Sequence, residues 1–475
     1  MPRTNTIRTA APPADTDLQQ VRSLLQKQRA FFASGHTLNL EFRLERLREL
    51  QQAILQHEQE LLDAMYADFR KPQVEAYATE IGFIELELKL VLKNLSSWVK
   101  PQRVKESLLN FPSRSYIHSD PYGITLIIAP WNYPFQLLLA PLIGAMAAGN
   151  CAIVKPSELT PNTSAVVARM LRAHFNEAYV AAVEGGVSTT QHLLQQRFDY
   201  IFFTGSTKVG KIVMRAAAEH LTPVTLELGG KSPAIVTEDA DLGLAARRIA
   251  WGKFMNAGQT CIAPDYLLVQ ESIKEDLIQH IIQYIEQFYG QDPQQSPDFA
   301  RIINETHFNR LSSYLTNGVL RTGGVTDAAT RYIAPTLLDK VTWQHPVMKE
   351  EIFGPILPVL TFGQLDEAIA TVKQHEKPLG LYLFTSDNEK KEQVLAHTFF
   401  GGGCVNDTIS HVANPNLPFG GVGNSGMGSY HGKSSFDLFS QQKSVLHRGT
   451  WLDLPMRYPP YANRLQLLRK AFKWL

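Results

Sequence analysis

The segment Gly258-Gln-Thr-Cys-Ile-Ala-Pro264 sets one cysteine in a loop after a helical pattern, flanked by glycine and proline. A thiol in such a loop can reach a substrate pocket, and its thiolate can attack an electrophilic carbonyl carbon. Cys261 is therefore the candidate nucleophile, although a lone cysteine is more often a small buried hydrophobe. Thr225-Leu-Glu-Leu-Gly-Gly-Lys-Ser-Pro233 places Glu227 inside an apolar strand, where a carboxylate is costly unless it is paired or used. Glu227 is the candidate base; the plainer reading is a carboxylate hydrogen-bonded to nearby backbone. In Ala129-Pro-Trp-Asn-Tyr-Pro134 two prolines fix the loop after the run Ile124 to Ala129. The Asn132 amide is then held at the carboxyl end of a strand, where it can donate to an oxygen that becomes negative. As an isolated turn residue it would carry no function.

Two further segments suit a dinucleotide. Phe203-Thr-Gly-Ser-Thr-Lys-Val-Gly210 follows a β-rich run and opens a helix, so its backbone N–H groups and the helix dipole could hold a pyrophosphate. It lacks a GxGxxG, and strand, glycine and helix alone are a weak signal. Val154-Lys-Pro-Ser-Glu158 offers an ammonium and a carboxylate suited to ribose hydroxyls, unless the pair is ordinary solvated surface.

The elements that must carry these groups read as alternating β and α. Runs at Ile124 to Ala129, Cys151 to Lys155, Val180 to Val183 and Tyr200 to Phe203 alternate with helical patterns at Thr160 to His174 and Lys208 to His220. That alternation predicts a doubly wound parallel sheet. A second series begins near Gly229, with strands at Ala234 to Val236 and Tyr266 to Gln270 around a helix from Leu242 to Met255, and predicts a second α/β domain. Two amphipathic helices precede both, one through Leu44, Leu47, Ile54, Leu61 and Met65, the other through Ile81, Ile84, Leu88, Leu92 and Leu95. Thr160-Pro161 reads as an N-cap with proline at the first helical position, and Ser272 with Glu275 as a capping box. The apolar stretch Phe135 to Gly149 is interrupted by Gln, Pro and Gly and reads as a buried helix rather than a membrane span.

Composition limits the partners. The chain has 475 residues, 44% hydrophobic and 19% charged, with 46 Lys plus Arg against 45 Asp plus Glu. It has the apolar content of a folded protein and no general basic surface for nucleic acid. Three cysteines, Cys151, Cys261 and Cys404, without a CxxC pair, fit a reducing compartment and suggest no disulfide framework or zinc site. The N-terminal residues lack the apolar core of a secretory signal and read as a flexible lead-in over 1–30. The last residues, Arg464 to Leu475, alternate Leu, Phe and Trp with Arg and Lys, which suits a helix docked on its own chain or a partner, with a membrane surface as the less favoured alternative.

A nucleophile, a base, an oxyanion donor and dinucleotide-like loops are what cysteine-dependent aldehyde oxidation requires. Pro-Trp-Asn-Tyr-Pro, Lys-Pro-Ser-Glu, Leu-Glu-Leu-Gly-Gly-Lys, Gly-Gln-Thr-Cys and Glu350-Glu-Ile-Phe-Gly-Pro355, in that order, resemble the aldehyde dehydrogenase superfamily from about Leu38 to Tyr461. Leu417-Pro-Phe-Gly-Gly-Val-Gly-Asn-Ser-Gly-Met-Gly-Ser-Tyr-His-Gly-Lys433 resembles its class 3 branch. The resemblance implies two doubly wound α/β domains and a small β bridging arm. Residues 31–110 and 122–227 would form the dinucleotide-binding domain, 228–415 the catalytic domain, 111–121 and 430–450 the arm used in dimerisation, and 451–475 a helical tail. It implies Cys261 as nucleophile, Asn132 and the Cys261 N–H as oxyanion donors, and Glu227 as activator of the deacylating water. Trp131, Lys155, Glu158, Gly205, Ser206, Gly210, Glu351 and Phe353 would contact the cofactor, and Tyr133 and His411 the substrate. It also implies NAD, with NADP possible because class 3 relatives carrying this acid use both, a hydrophobic aldehyde substrate, a homodimer and a cytoplasmic location. A coenzyme-A- or phosphate-dependent acylating enzyme, or an inactive structural homologue, is the alternative.

Overall fold

The computed structural model describes residues 13–107, 110–453, 455–461 and 464–473. Its first sheet holds β1 (Ile124–Ile128), β2 (Cys151–Lys155), β3 (Val180–Ala182), β4 (Tyr200–Thr204) and β5 (Val224–Glu227). These pair in parallel in the order β5-β4-β1-β2-β3, and the short strand Gly426–Met427 adds antiparallel to β5. The strands are nearly continuous apolar runs without alternation, as expected where helices cover both faces. The chain steps outward from β1 to β3 and then returns to β4 on the other side of β1. The switch point between β1 and β4 is where such a sheet opens to ligands.

Beyond Glu227 the chain crosses directly into a second sheet. This contains β6 (Pro233–Val236), β7 (Tyr266–Gln270), β8 (Val319–Thr322), β9 (Thr336–Asp339), β10 (Ile356–Phe362), β11 (Gly380–Phe384) and β12 (Gly402–Val405). Its order is β8-β9-β10-β7-β6-β11-β12, parallel except for the β8–β9 pair. A separate antiparallel sheet joins Gln102–Val104, Ser113–Pro121 and Ser440–Arg448, with Ser440 opposite Pro121 and Arg448 opposite Ser113. The region around Ser115 is thus one long strand flanked by two partners.

Helices α1 (Leu18–Ala33), α2 (Leu40–Phe69), α3 (Gly82–Trp98) and α4 (Gln136–Ala148) pack around the first sheet. Every residue of α4 is buried. Helix α1 corrects the expected flexible lead-in over residues 18–30. Asp17 caps it, Val21 and Leu25 bury at helical spacing, and the buried Gln28 donates to the Ala152 carbonyl at 3.0 Å. Asp15 and Thr16 are hydrogen-bonded to residues 184–189, and residues 1–12 of that expectation lie outside the described residues.

Thr160 is the N-cap of helix Pro161–His174 and Pro161 opens it, as expected, but the Thr160 side chain makes no cap hydrogen bond. The Asp68 carboxylate near the end of α2 accepts instead from Asn162 N at 3.0 Å and Thr163 N at 2.9 Å. The packing of α2 against this helix brings a better acceptor than the local hydroxyl. Helix Lys274–Tyr289 begins after Ile273 without a side-chain cap, and Glu275 pairs with Arg321 at 2.7 Å rather than closing a box with Ser272. At the other end of the chain, Leu465, Leu468 and Phe472 are exposed. No helix among the described residues is long and apolar enough to cross a membrane.

Candidate active site

The loop carrying Cys261 begins in an unusual turn. After helix Leu242–Phe254, Asn256, Ala257 and Gly258 adopt successive left-handed conformations with φ of 54°, 51° and 71°. Only glycine adopts this region freely, and a non-glycine residue there costs roughly 1–2 kcal/mol. Side-chain amides hold the turn. Gln259 donates to the Asn256 carbonyl at 3.1 Å and the Arg301 carbonyl at 3.0 Å, and accepts from Ile303 N at 3.0 Å. Asn256 donates to the carbonyls of Asn132 at 3.0 Å and Gln259 at 3.1 Å, while the buried Asn132 amide donates to the same Gln259 carbonyl at 3.1 Å. The Asn132 loop and the Cys261 loop are therefore locked together.

Cys261 is half-buried. Burial raises its thiol pKa, the nearby Glu351 and Glu227 carboxylates raise it further, and the N–H groups of Cys261 and Ile262 act in the opposite direction. The resting group is the thiol, so attack on a carbonyl requires a base. Glu227 lies at the end of β5, 2% exposed, and neither of its oxygens has a hydrogen-bond partner among the described residues. Burial holds its pKa well above the ordinary carboxylate range. An unpartnered buried carboxylate is destabilising for the fold, and its effect on the thiol marks the two as neighbours.

Glu351 lies against the crossing segment: a methyl on Gly229 would overlap its carboxylate. Burial and the Asp265 charge push Glu351 up to about 8, opposed by the Gly230 N–H and by Lys231 and Arg310. Asp265 pairs with Lys231 and accepts from Ile352 N at 2.8 Å, which holds the Glu351 loop to the second sheet. Phe353 has a left-handed φ of 53°, and its ring lies edge-on to Trp131 at 5.3 Å.

The cofactor candidates at the first sheet fit a dinucleotide. Lys155, 3% exposed, ends β2 and donates to the half-buried Glu158 at 2.6 Å. Ser206 caps helix Thr207–Ala218, whose first turn carries no acid to repel a pyrophosphate. Val187, Val209 and Ile212 expose apolar surface on the two helices that follow β3 and β4, a signal that sequence reasoning passed over. Gly210 has a different surrounding: it is buried, and a Cβ there would meet the Leu228 side chain at 2.7 Å, so it permits close packing of the helix on the crossing segment.

The two substrate candidates separate. The Tyr133 hydroxyl bonds Thr260 Oγ1 at 2.6 Å, one residue from Cys261. His411 stands beside Cys404, with Nδ1 3.5 Å from Sγ, and burial lowers its pKa to about 4. It connects to the nucleophile loop through Tyr382, whose ring is 6.2 Å away and whose hydroxyl donates to the Ile262 carbonyl at 2.5 Å.

Comparison with known proteins identifies the family. Residues 2–445 match the model of the aldehyde dehydrogenase family. The chain is 52% identical over 447 residues to 4,4'-diaponeurosporen-aldehyde dehydrogenase of Staphylococcus aureus (strain NCTC 8325 / PS 47), covering 94% of this chain and 97% of that protein. It is 47% identical over 463 residues to mouse (Mus musculus) aldehyde dehydrogenase family 3 member B3, covering 97% of each. A substrate-bound structure of Staphylococcus aureus AldH superposes with a TM-score of 0.93 at 51% identity, over 95% of this chain and 99% of that one.

Proposed function

Because this chain belongs to the aldehyde dehydrogenase family and is an NAD(P)-dependent aldehyde dehydrogenase, we propose that Cys261, Asn132 and Glu227 carry out the oxidation. The observation that carries this reading is the buried Glu227 carboxylate, without a hydrogen-bond partner among the described residues, together with an Asn132 amide tied through the Gln259 carbonyl to the nucleophile loop. The Cys261 thiol gives up its proton to water as Sγ attacks the aldehyde carbon. The carbonyl electrons move to oxygen, where the Cys261 N–H and the remaining Asn132 amide N–H hold the negative charge. When bound, the dinucleotide supplies the hydride acceptor; Lys155, Glu158, Gly205 and Ser206 hold its adenosine and pyrophosphate end, and Trp131, Glu351 and Phe353 its nicotinamide end. The ionised Glu227 then takes a proton from the water that cleaves the thioester and passes it to the departing Cys261 sulfur, which restores the thiol, while the acid formed loses its own proton to solvent and leaves as the carboxylate.

The preferred substrates are hydrophobic aldehydes. Tyr77 and Trp251 are large, exposed aromatic residues on the two segments that meet where Asn256 N donates to Glu75 at 3.0 Å. NAD is the favoured cofactor and NADP is accepted, because Glu158 repels an added phosphate while Lys155 offsets part of its charge. The enzyme is a cytoplasmic homodimer paired through the exposed edge of Ser440–Arg448, with its C-terminal helix docked on protein rather than on a membrane.

The test is reduced-nicotinamide absorbance with short, long-chain and aromatic aldehydes, NAD and NADP supplied separately, without coenzyme A or phosphate. Turnover rising with aldehyde hydrophobicity, and lost in Cys261→Ala, is expected. Turnover only with added coenzyme A or phosphate would transfer the assignment to an acylating enzyme.

A further inference from the structure

Between α2 and α3, the chain from Lys71 to Glu80 touches both loops of the active site. The segment contains a short α turn, Gln73–Ala76, and a π turn, Tyr77–Ile81. Glu80 accepts from Phe135 N at 2.9 Å and Gln136 N at 3.3 Å, where α4 begins just beyond Asn132. Its other oxygen meets Lys71 Nζ at 2.5 Å, and both side chains are 0% exposed. The same ammonium lies 3.9 Å from the centre of the Tyr133 ring, whose hydroxyl bonds Thr260. Glu75 accepts from Asn256 N at 3.0 Å, at the first of the left-handed residues before Cys261.

The π turn makes this geometry available. In a straight α-helix, residues five apart point about 140° away from one another. The π turn, in which Gly82 N–H bonds the Tyr77 carbonyl five residues back, lies between Glu75 and Glu80 and winds less per residue than an α-helix, so it turns the two carboxylates closer to a common side. One carboxylate then reaches the nucleophile loop and the other the oxyanion loop. Glu80 occupies the start of α4, where unpaired N–H groups and the helix dipole favour a negative charge. Glu75 satisfies an N–H in backbone that would otherwise be strained without return.

We propose that Lys71, Glu75 and Glu80 form a clamp of positioning residues that sets the register of the Asn132 loop against the Cys261 loop. This rests on the reading that Cys261 and Asn132 perform the chemistry. The clamp touches no substrate or cofactor; its effect is to hold the attacking sulfur and the oxyanion donors in one geometry. Displacing either loop by about 1 Å suffices for a rate loss of up to 10²-fold.

The test compares Glu75→Ala, Glu75→Gln and Glu75→Asp in the full chain, reading kcat, KM for NAD, the rate of Cys261 alkylation by iodoacetamide, and thermal stability. Glu75→Ala is expected to lower kcat and alkylation by roughly tenfold or more with KM for NAD within about twofold, because Lys155, Glu158, Gly205 and Ser206, assigned to the adenosine and pyrophosphate end, lie on other loops. Glu75→Gln keeps an acceptor oxygen at the same reach and is expected to restore most of the rate. Glu75→Asp keeps the carboxylate but shortens it by one methylene, so its kcat falls as in the alanine variant; it decides the matter if that variant does not fold. Unchanged kcat in a folded Glu75→Ala or in Glu75→Asp, or no recovery in Glu75→Gln, overturns the clamp. A Cys261→Ala control separates the two readings: turnover there removes the catalytic assignment, whereas a dead control beside unaffected Glu75 variants removes the clamp alone.

Discussion

At the end of β5, Glu227 has neither carboxylate oxygen partnered among the described residues, whereas at the end of β2 the charged Lys155 and Glu158 satisfy one another at 2.6 Å. The backbone differs in the same way. The approach to Cys261 passes through three left-handed residues, while the approach to the pyrophosphate candidates is a regular strand, turn and capped helix. The reacting half of the site thus retains unsatisfied polar groups and strained backbone, which the surrounding fold must offset, and the cofactor half is stable before anything binds. Substitutions in the first half should therefore change rate constants, and substitutions in the second should change cofactor affinity and choice.

The largest effect is expected for Cys261→Ala, which should abolish reduced-nicotinamide formation altogether; retained steady-state turnover would end the distinction between the halves. Glu227→Gln comes next. A pre-steady-state burst of reduced nicotinamide should survive while steady-state turnover falls by about 10²-fold or more, because general-base removal acts mainly on thioester hydrolysis. Loss of the burst itself would mean that Glu227 acts chiefly in the first step. The wild-type deacylation rate should rise with pH through a pKa above the ordinary carboxylate range, since burial favours the protonated acid, and this limb should vanish in Glu227→Gln. Stability should move the opposite way. The folded chain keeps this proton after the unfolded chain has lost it, so the group's contribution falls as pH rises from the ordinary carboxylate range to the raised pKa. Glu227→Gln should accordingly gain Tm relative to wild type at pH 8 and not at pH 4, as calorimetry at both would show.

Asn132→Ala is expected to lower kcat by roughly 10²-fold through loss of an oxyanion donor. A loss under threefold would leave Asn132 as the link to Gln259 and nothing more. In the cofactor half, Glu158→Gln should raise kcat/KM for NADP relative to NAD by about three- to tenfold, because a nearby negative charge is removed. An unchanged ratio would show that the Lys155 pairing already neutralises the acid.

The residues proposed to react stand out in the chain because each sits in a short segment whose neighbours, Gly, Pro or Gly-Gly, have no ordinary place in a helix or strand interior. Their supports do not. Glu75 and Glu80 lie in a stretch where acids read as a solvent-facing helical surface, and only the packing against α4 and the Asn256 turn shows them turned inward. Gln259 was visible within Gly-Gln-Thr-Cys, but its partners are backbone atoms at Asn256, Arg301 and Ile303, which no local pattern announces. The start of helix Pro161–His174 makes the same point, since the Asp68 carboxylate brought by tertiary packing takes the place of the Thr160 hydroxyl. The alternating strands were legible for the opposite reason: a buried parallel strand writes its environment into its own residues.

The smallest effect tests whether the cofactor half receives help from outside its own sheet. Asp15 accepts from Gly186 N at 2.7 Å and Thr189 Oγ1 at 2.9 Å, and the neighbouring Thr16 hydroxyl donates to the Glu184 carbonyl at 2.8 Å. These contacts fasten the N-terminal segment to the loop after β3, beside Lys155 and Glu158, and cap helix Val187–Leu194, whose own N-cap Gly186 has no side chain. Asp15→Ala should loosen that loop and the exposed Val187 it carries, raising KM for NAD by about two- to threefold with kcat unchanged. A change in kcat without a change in KM would instead tie this segment to the reacting half, and the contrast between the two halves would no longer hold.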